Sequence, residues 1–454
     1  MKANEGAQSR GRLSLTWVVY NAIGVVLLPL VLLYMFWRLV FRSKSLVGLS
    51  ERLGAVAHRL TPLQGTQDPI VWIHAVSVGE VAAVEPILQQ IRLAEPIARI
   101  VVSTTTPTGR EMVRSRHLDP DALIYFPFDL PLVVARVLDA VRPDVLVLVE
   151  TELWPNLLEA ARRRGVRVAL VNGRVSDRSY RWAKLFRPLY RWSLSNIEVM
   201  CVQSQVDADR LADLGAEASR VIVTGNSKFD EAFPTVAEAE AAKVRQDFGF
   251  SQDAPVLVAG STHEGEEDIV LEAFTRLRVK QADLQLVIAP RHPERGGRVE
   301  QLIHEHGYQA YRRSRALEAG GQDPLTPEPE NDAQVCVAVL DTIGELARVF
   351  TIATVTFMGN SLVPGGGHNI LQPIAQGKAA LFGPHMANFR DIAAIAIREG
   401  VGIEVAGMDD LARETQRLLN SEGDLELVAA RGRRLIEKYA GASARCAERV
   451  VAML

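Results

Sequence analysis

Phe357–Gln376, FMGNSLVPGGGHNILQPIAQ, leaves a short apolar strand (TVTFM), crosses three consecutive glycines and enters a helical pattern from about Asn369. Glycine removes the side chain where a backbone must approach something closely. A helix start behind it aims unpaired N–H groups and the positive end of the helix dipole at the same spot. Strand, tight turn and helix in that order form the repeating unit of a parallel α/β sheet, and this one predicts an anion site, most simply for phosphate. An ordinary glycine-rich connection has the same composition, so the segments around it decide.

Outward from this stretch, short apolar runs alternate with amphipathic ones, as parallel α/β units require. Strands are predicted at Ile70–Val76, Arg99–Thr104, Ala122–Phe126, Val145–Val149, Val166–Val171, Glu198–Val202 and Arg220–Val223. A second series is predicted at Val256–Ala259, Leu284–Ala289, Val335–Val339, Val355–Met358 and Ala379–Phe382. A charged, alanine-rich segment, Thr235–Phe248, separates the two series, and Glu318–Asp332 reads as a surface loop. The predicted organisation is an α/β chain of two Rossmann-like domains, 46–232 and 250–454, the second ending in amphipathic helices. Such domains bind ligands at the carboxyl ends of their strands, and the expected site is a cleft between the two.

At 454 residues the chain has the length for two cores. A net charge of −3 gives no global reason to bind nucleic acid. Cys201, Cys336 and Cys446 are far apart and form no metal-spaced cluster, so a reducing compartment is expected, and Cys201 and Cys336, in apolar strand-like runs, are read as buried, inert thiols. Leu13–Trp37 holds 25 residues without a formal charge, enough to cross a hydrocarbon core of ~30 Å as a helix. Trp17, Tyr34 and Trp37 stand near its ends, and Arg38, Arg42 and Lys44 follow where a signal peptide would carry a small-residue cleavage site. An N-terminal membrane anchor over 13–40 is predicted.

Residues suited to chemistry follow the predicted strands. Glu80 opens a helix after the first strand, where a general base would stand. Glu150 and Glu152 share one side of the end of the fourth strand. Lys228, after the seventh, is a point charge suited to neutralising a departing phosphate. In the second domain Arg291, His292 and Arg295 form a cationic stretch, and Asp341 is an N-cap candidate for a helix with Gly344 and Glu345 in its first turn. Neither GxxxxGK[ST] nor GxGxxG occurs, which disfavours an ATPase or a nicotinamide enzyme.

The segments HAVSVGE, STTTPTG, YFPFDLP, ETELWPN, GNSKFD, STHEGEE, PRHPER, DTIGEL and GGGHNILQP stand here in the order in which the 3-deoxy-D-manno-octulosonic acid (Kdo) transferases carry them. From about residue 45 to beyond 400 the chain resembles that family. The resemblance implies a GT-B fold, two Rossmann-like domains facing across a cleft. It implies inverting transfer of Kdo from CMP-Kdo to a lipid A precursor (lipid IVA) in lipopolysaccharide biosynthesis, at the cytoplasmic face of the bacterial inner membrane. It also implies Glu80 as the base, Glu150 and Lys228 as transition-state stabilisers, and no metal or other cofactor. CMP contacts are implied at Pro290 and Arg291, at Ile343, Gly344 and Glu345, and at Asn369, Ile370, Leu371 and Gln372. Where the family reads HNxLEP this chain has Gln372, which keeps hydrogen-bonding capacity but loses the charge. The rival expectations are a GT-B enzyme using another nucleotide sugar and an inactive membrane-bound sugar-nucleotide binding protein.

Overall fold

The computed structural model describes residues 15–26, 47–231, 238–319 and 337–454. They form two compact units, Met1–Glu231 with Tyr439–Leu454 (unit 1) and Ala232–Lys438 (unit 2).

Unit 1 is built on Ile70–His74 (β1), Arg99–Thr104 (β2), Ala122–Tyr125 (β3), Val145–Val149 (β4), Arg167–Gly173 (β5), Val199–Val202 (β6) and Val221–Val223 (β7). All pair in parallel in the order β3-β2-β1-β4-β5-β6-β7. IVWIH and VLVLV of β1 and β4 are buried along their whole length, as central strands covered on both faces must be. Unit 2 repeats the plan with Val256–Thr262 (β8), Gln285–Pro290 (β9), Ala310–Arg312 (β10), Val337–Val339 (β11), Val355–Met358 (β12), Ala379–Phe382 (β13) and Gly402–Glu404 (β14), ordered β10-β11-β9-β8-β12-β13-β14. The edge strands β10 and β14 were absent from the sequence reading, because three residues of mixed polarity (AYR, GIE) carry no period of two. Of the loop expected at 318–332, all but the first two residues lie outside the described ones, as does Cys336.

The helices that matter for the site are Val78–Ala94 (α1), Pro155–Arg164 (α2), Glu266–Arg278 (α3), Leu371–Ala375 (α4) and Ala442–Val451 (α5). Asp129, from the FDLP segment, caps α2: its carboxylate accepts from the N–H groups of Asn156 (3.0 Å) and Leu157 (2.9 Å). Two of the ordered motifs are thus partners in one cap.

The second domain was expected to run to residue 454, but Tyr439–Leu454 packs in unit 1. Asp230 of GNSKFD accepts from the N–H groups of Gly441 (2.5 Å) and Ser443 (2.6 Å) at the start of α5, and Phe229 stacks on Tyr439 at 4.9 Å. Cys446, Ala447 and Val450 of α5 then enter the core lined by Val84, Ile87, Leu88 and Ile91 of α1. Amphipathic spacing shows that α5 must bury a face without showing against what. Cys201 and Cys446 meet in that core as buried free thiols.

Of the predicted anchor over 13–40, residues 15–26 form a helix; 13, 14 and 27–40 lie outside the described residues. No helix among the described residues is long and apolar enough to cross a membrane. The helix over 15–26 meets unit 1 through polar side chains. Tyr20 donates to Asp129 (3.2 Å), Asn21 donates to Asn156 (2.9 Å), and the Arg163 guanidinium lies over the Trp17 ring. Its apolar residues Leu15, Val19, Ile23, Val25 and Val26 are exposed.

Val450→Asp would bury an unpaired carboxylate between α5 and α1 and is expected to destabilise unit 1 by about 3 kcal/mol or more. Urea unfolding of the full chain, followed by the tryptophans (all six, at 17, 37, 72, 154, 182 and 192, lie within Met1–Glu231), checks it.

Candidate active site

In an open parallel sheet the ligand crevice opens where strand order reverses. In unit 1 that is between β1 and β4, and the loops leaving these two strands carry Glu80 and Glu150. Glu80 lies in the first turn of α1, only 7% exposed. One carboxylate oxygen accepts from the Val76 N–H (2.7 Å) and the other from the Ser77 hydroxyl (3.2 Å). Burial pushes its carboxyl up to about 8, and the charges of Glu150 and Glu152 push the same way against the Val76 hydrogen bond.

Glu150 leaves β4 with φ 58°, a left-handed conformation that costs a non-glycine residue about 1–3 kcal/mol. Its Oε1 lies 3.8 Å from the Nζ of the buried Lys228. The turn carrying Lys228, Ser227–Asp230, is fixed to its surroundings on two sides. The Ser227 hydroxyl donates to the Ala83 carbonyl of α1 (2.6 Å), and the Ser227 N–H donates to Asn172 Oδ1 (3.1 Å). Glu80, Glu150 and Lys228, 148 residues apart at their extremes, therefore occupy one locale. Glu152, half-buried beside them, is pushed up by burial and by the Glu150 charge.

In unit 2 the order reverses between β8 and β12. The loop after β8 carries His263 and Glu266; the loop after β12 carries the three glycines and His368. Here the structure corrects the reading of the glycine turn. A Cβ on Gly365 would fall 1.4 Å from Asn360 Oδ1, one on Gly366 would fall 2.4 Å from Asn388 Nδ2, and one on Gly367 would fall 2.3 Å from Met386 Sδ. The glycines make room for the chain's own side chains. The helix behind them, α4, has five residues, too few for the dipole argument to carry much.

Glu266 organises both loops. Fully buried, its carboxylate accepts from the N–H groups of His263 (2.9 Å), Asn360 (2.6 Å), Ser361 (2.9 Å) and Leu362 (2.9 Å). Neither Glu266 nor the histidines were singled out in the sequence, although STHEGEE and GGGHN contain them.

The expected CMP residues are distributed unevenly. Arg291 follows β9 and is exposed, and Pro290 ends that strand buried. Arg295, expected to share the anion site, is held by the buried Glu267 at 2.7 Å. Ile343 is 87% exposed, an apolar face in the open, beside Gly344 at φ 90°. Glu345 is paired with Arg313 (2.9 Å) and accepts from the Thr342 hydroxyl (2.5 Å). The helix after it spans only Leu346–Val349, and Asp341 does not cap it. Its carboxylate accepts instead from Arg312 Nε (2.5 Å) and the Ser314 N–H (2.9 Å). Asn369 Oδ1 accepts from the Leu371 N–H at the start of α4 (3.0 Å). Ile370 and Leu371 are core side chains, so a ligand meets only their backbone, whereas Gln372 is half-buried.

His263 and His368 face each other with Nε2 atoms 3.2 Å apart, ring centroids 5.4 Å apart and planes within 19°. That is end-to-end contact, one ring nitrogen donating to the other. His292 stands edge-on to His263 at 5.8 Å. Burial pushes both members of the pair down, His368 to about 4, with Arg291 and the neighbouring histidines adding to the effect.

Comparison with known proteins places this arrangement. A family model described as 3-Deoxy-D-manno-octulosonic-acid transferase (kdotransferase) matches residues 48–231. The 3-deoxy-D-manno-octulosonic acid transferase of Haemophilus influenzae is 32% identical over 427 residues, 93% of this chain and 95% of the relative. That of Bordetella pertussis is 32% identical over 83% of this chain and 85% of its own. A solved glycosyltransferase from Rickettsia africae, 10% identical, covers 86% of this chain and 98% of its own with a TM-score of 0.55, a likeness of fold.

A carboxyl raised by folding holds its proton more tightly in the native state, so its contribution to stability falls as pH rises from about 4.5 to about 8. Glu80→Gln is expected to remove that decline and to leave unit 1 more stable than wild type at pH 8. Urea midpoints measured across this range check it.

Proposed function

The chain belongs to the 3-deoxy-D-manno-octulosonic acid (Kdo) transferase family, glycosyltransferases of lipopolysaccharide biosynthesis, and we propose that it moves Kdo from CMP-Kdo to a lipid A precursor, lipid IVA, with inversion. The observation that carries the reading is Glu80 at the strand-order reversal of unit 1, buried, fixed by Val76 and Ser77, and pushed up to about 8. A base poised near the working pH takes a proton efficiently without being locked in either state.

In the proposed step Glu80 takes the proton of the acceptor hydroxyl as its oxygen attacks the anomeric carbon of Kdo. The bond from that carbon to the phosphate oxygen breaks, and CMP leaves with the electron pair. Glu150, oriented by Lys228, places negative charge for the oxocarbenium-like centre, an electrostatic role suited to a site held in advance of the reaction. On unit 2, Arg291 neutralises phosphate, exposed Ile343 offers an apolar face to the cytosine, and Asn369 and Gln372 supply amides for the nucleoside. Gln372 replaces a carboxylate by an amide, which still binds a ribose hydroxyl. In this proposal the chain's own groups carry the charge and no metal has a step.

The acceptor is a lipid, and we place the enzyme at the cytoplasmic face of the inner membrane, attached through its N-terminal segment. The helix over 15–26 supports attachment. It turns polar residues to the protein and apolar ones outward, the reverse of a helix packed on a water-soluble body.

Mass spectrometry of tetraacylated lipid A precursor incubated with CMP-Kdo tests the reading, and the mass of the product counts the sugars added. Wild type is expected to yield product, at a rate rising with pH and levelling above about 8 as Glu80 loses its proton. Glu80→Ala is expected to lose transfer by about 10²–10⁴-fold while binding CMP normally. Arg291→Ala is expected to weaken CMP binding first, seen by calorimetry. CMP bound without product from wild type would favour the inactive binding protein, and UDP bound in preference to CMP would favour another nucleotide sugar.

A further inference from the structure

The His263–His368 contact is unusual for two partly buried imidazoles that stand among cations. Arg291 and His292 approach from the loop after β9, Arg295 from the turn beyond it, and among the described residues Glu266 is the carboxylate whose charge bears on His263. Arg295 is engaged by Glu267, and Glu266 already accepts four backbone N–H groups. The pair therefore sits in a positive environment without a carboxylate side chain bonded to either ring among the described residues.

Imidazole chemistry sets what such a pair can hold. With an N–H···N bond between the two Nε2 atoms, one ring donates and the other accepts. One added proton makes the donor ring an imidazolium and turns the bond into a charge-assisted one, which is stronger. A second would set two cations and two N–H groups against each other across 3.2 Å. The pair takes one proton or none.

His263 and His368 leave β8 and β12, the two strands that flank the reversal, and Asn369 follows His368 directly. An anion arriving at the reversal meets the pair together with Arg291. Resting on the Kdo-transferase reading above, we propose that His263 and His368 are a phosphate-binding pair that takes up one proton from solvent when the donor's phosphate binds. The cation so formed adds to Arg291 and neutralises the phosphate as it departs.

In the free protein burial and the surrounding cations hold both rings below the usual histidine range. A bound anion reverses the sign of the local field and raises them. Binding is then coupled to proton uptake, and affinity falls as pH rises, by up to about tenfold per pH unit while the pair is protonated only in the complex.

The test is isothermal titration calorimetry of the full-length chain with the methyl ester of CMP, whose single phosphodiester charge does not titrate. Buffers of different ionisation enthalpy at about pH 6.5 report the protons exchanged. The expected result is uptake of about one proton by wild type, falling towards zero at about pH 8.5 and abolished in His263→Gln and in His368→Gln. CMP is titrated in parallel with its own ionisation subtracted. Binding of either nucleotide with an enthalpy independent of buffer would overturn the pair while leaving the functional reading intact. Uptake that persists in both variants, with circular dichroism matching wild type, would assign the proton to another group and also overturn it. Binding of neither nucleotide would overturn the functional reading and this proposal with it.

Discussion

Parallel strands cannot be joined by a tight turn; each needs a crossover, and crossovers in one sheet share one hand. Where the chain changes direction along a sheet, successive crossovers must lie on opposite faces, and the carboxyl edge between them is left uncovered. Each unit has one such place, beside β1 in unit 1 and beside β8 in unit 2. Glu80 and Glu150 follow the two strands that flank the first place, and His263 and His368 follow the two that flank the second, while Lys228 and Arg291 come from the segments after β7 and β9.

Two glutamates show how much the surroundings decide. Glu80 and Glu266 both open helices, and both are buried. Glu266 is surrounded by four backbone N–H donors, and its role is to hold two loops together. Glu80 has one N–H and one hydroxyl, and burial first, then the charges of Glu150 and Glu152, push its carboxyl up to about 8. One ties loops together and the other stands in the reaction locale, although a sequence shows only an acid in a first helical turn.

The central strands were legible because burial on both faces makes them continuous apolar runs, and β2, β4, β12 and β13 lie where those runs place them. The edge strands β10 and β14 were not, because strands of three residues and mixed polarity have no such signature. Glu80, Glu150, Lys228 and Arg291 stand after strands in the structure as the sequence pattern places them. The opening glycines were legible as a turn but misread in purpose. Nothing local says that Asn360, Asn388 and Met386 will come to lie where their side chains would be. The histidine pair escaped for the same reason, since residues 105 apart meet only when two strands lie side by side.

What the sequence determined by itself is the alternation of buried strands and covering helices, hence two doubly wound sheets and the loops on which polar residues can gather. Hydrophobic periodicity is local, and burial answers to it element by element. Tertiary structure alone decided that α5 closes unit 1, that Lys228 pairs with Glu150, that Glu266 binds loops while Glu80 holds a proton, and that two imidazoles share one bond. Each of these depends on distances between residues far apart in the chain, and a charge or a hydrogen bond acquires its energy only from what stands within a few ångströms of it.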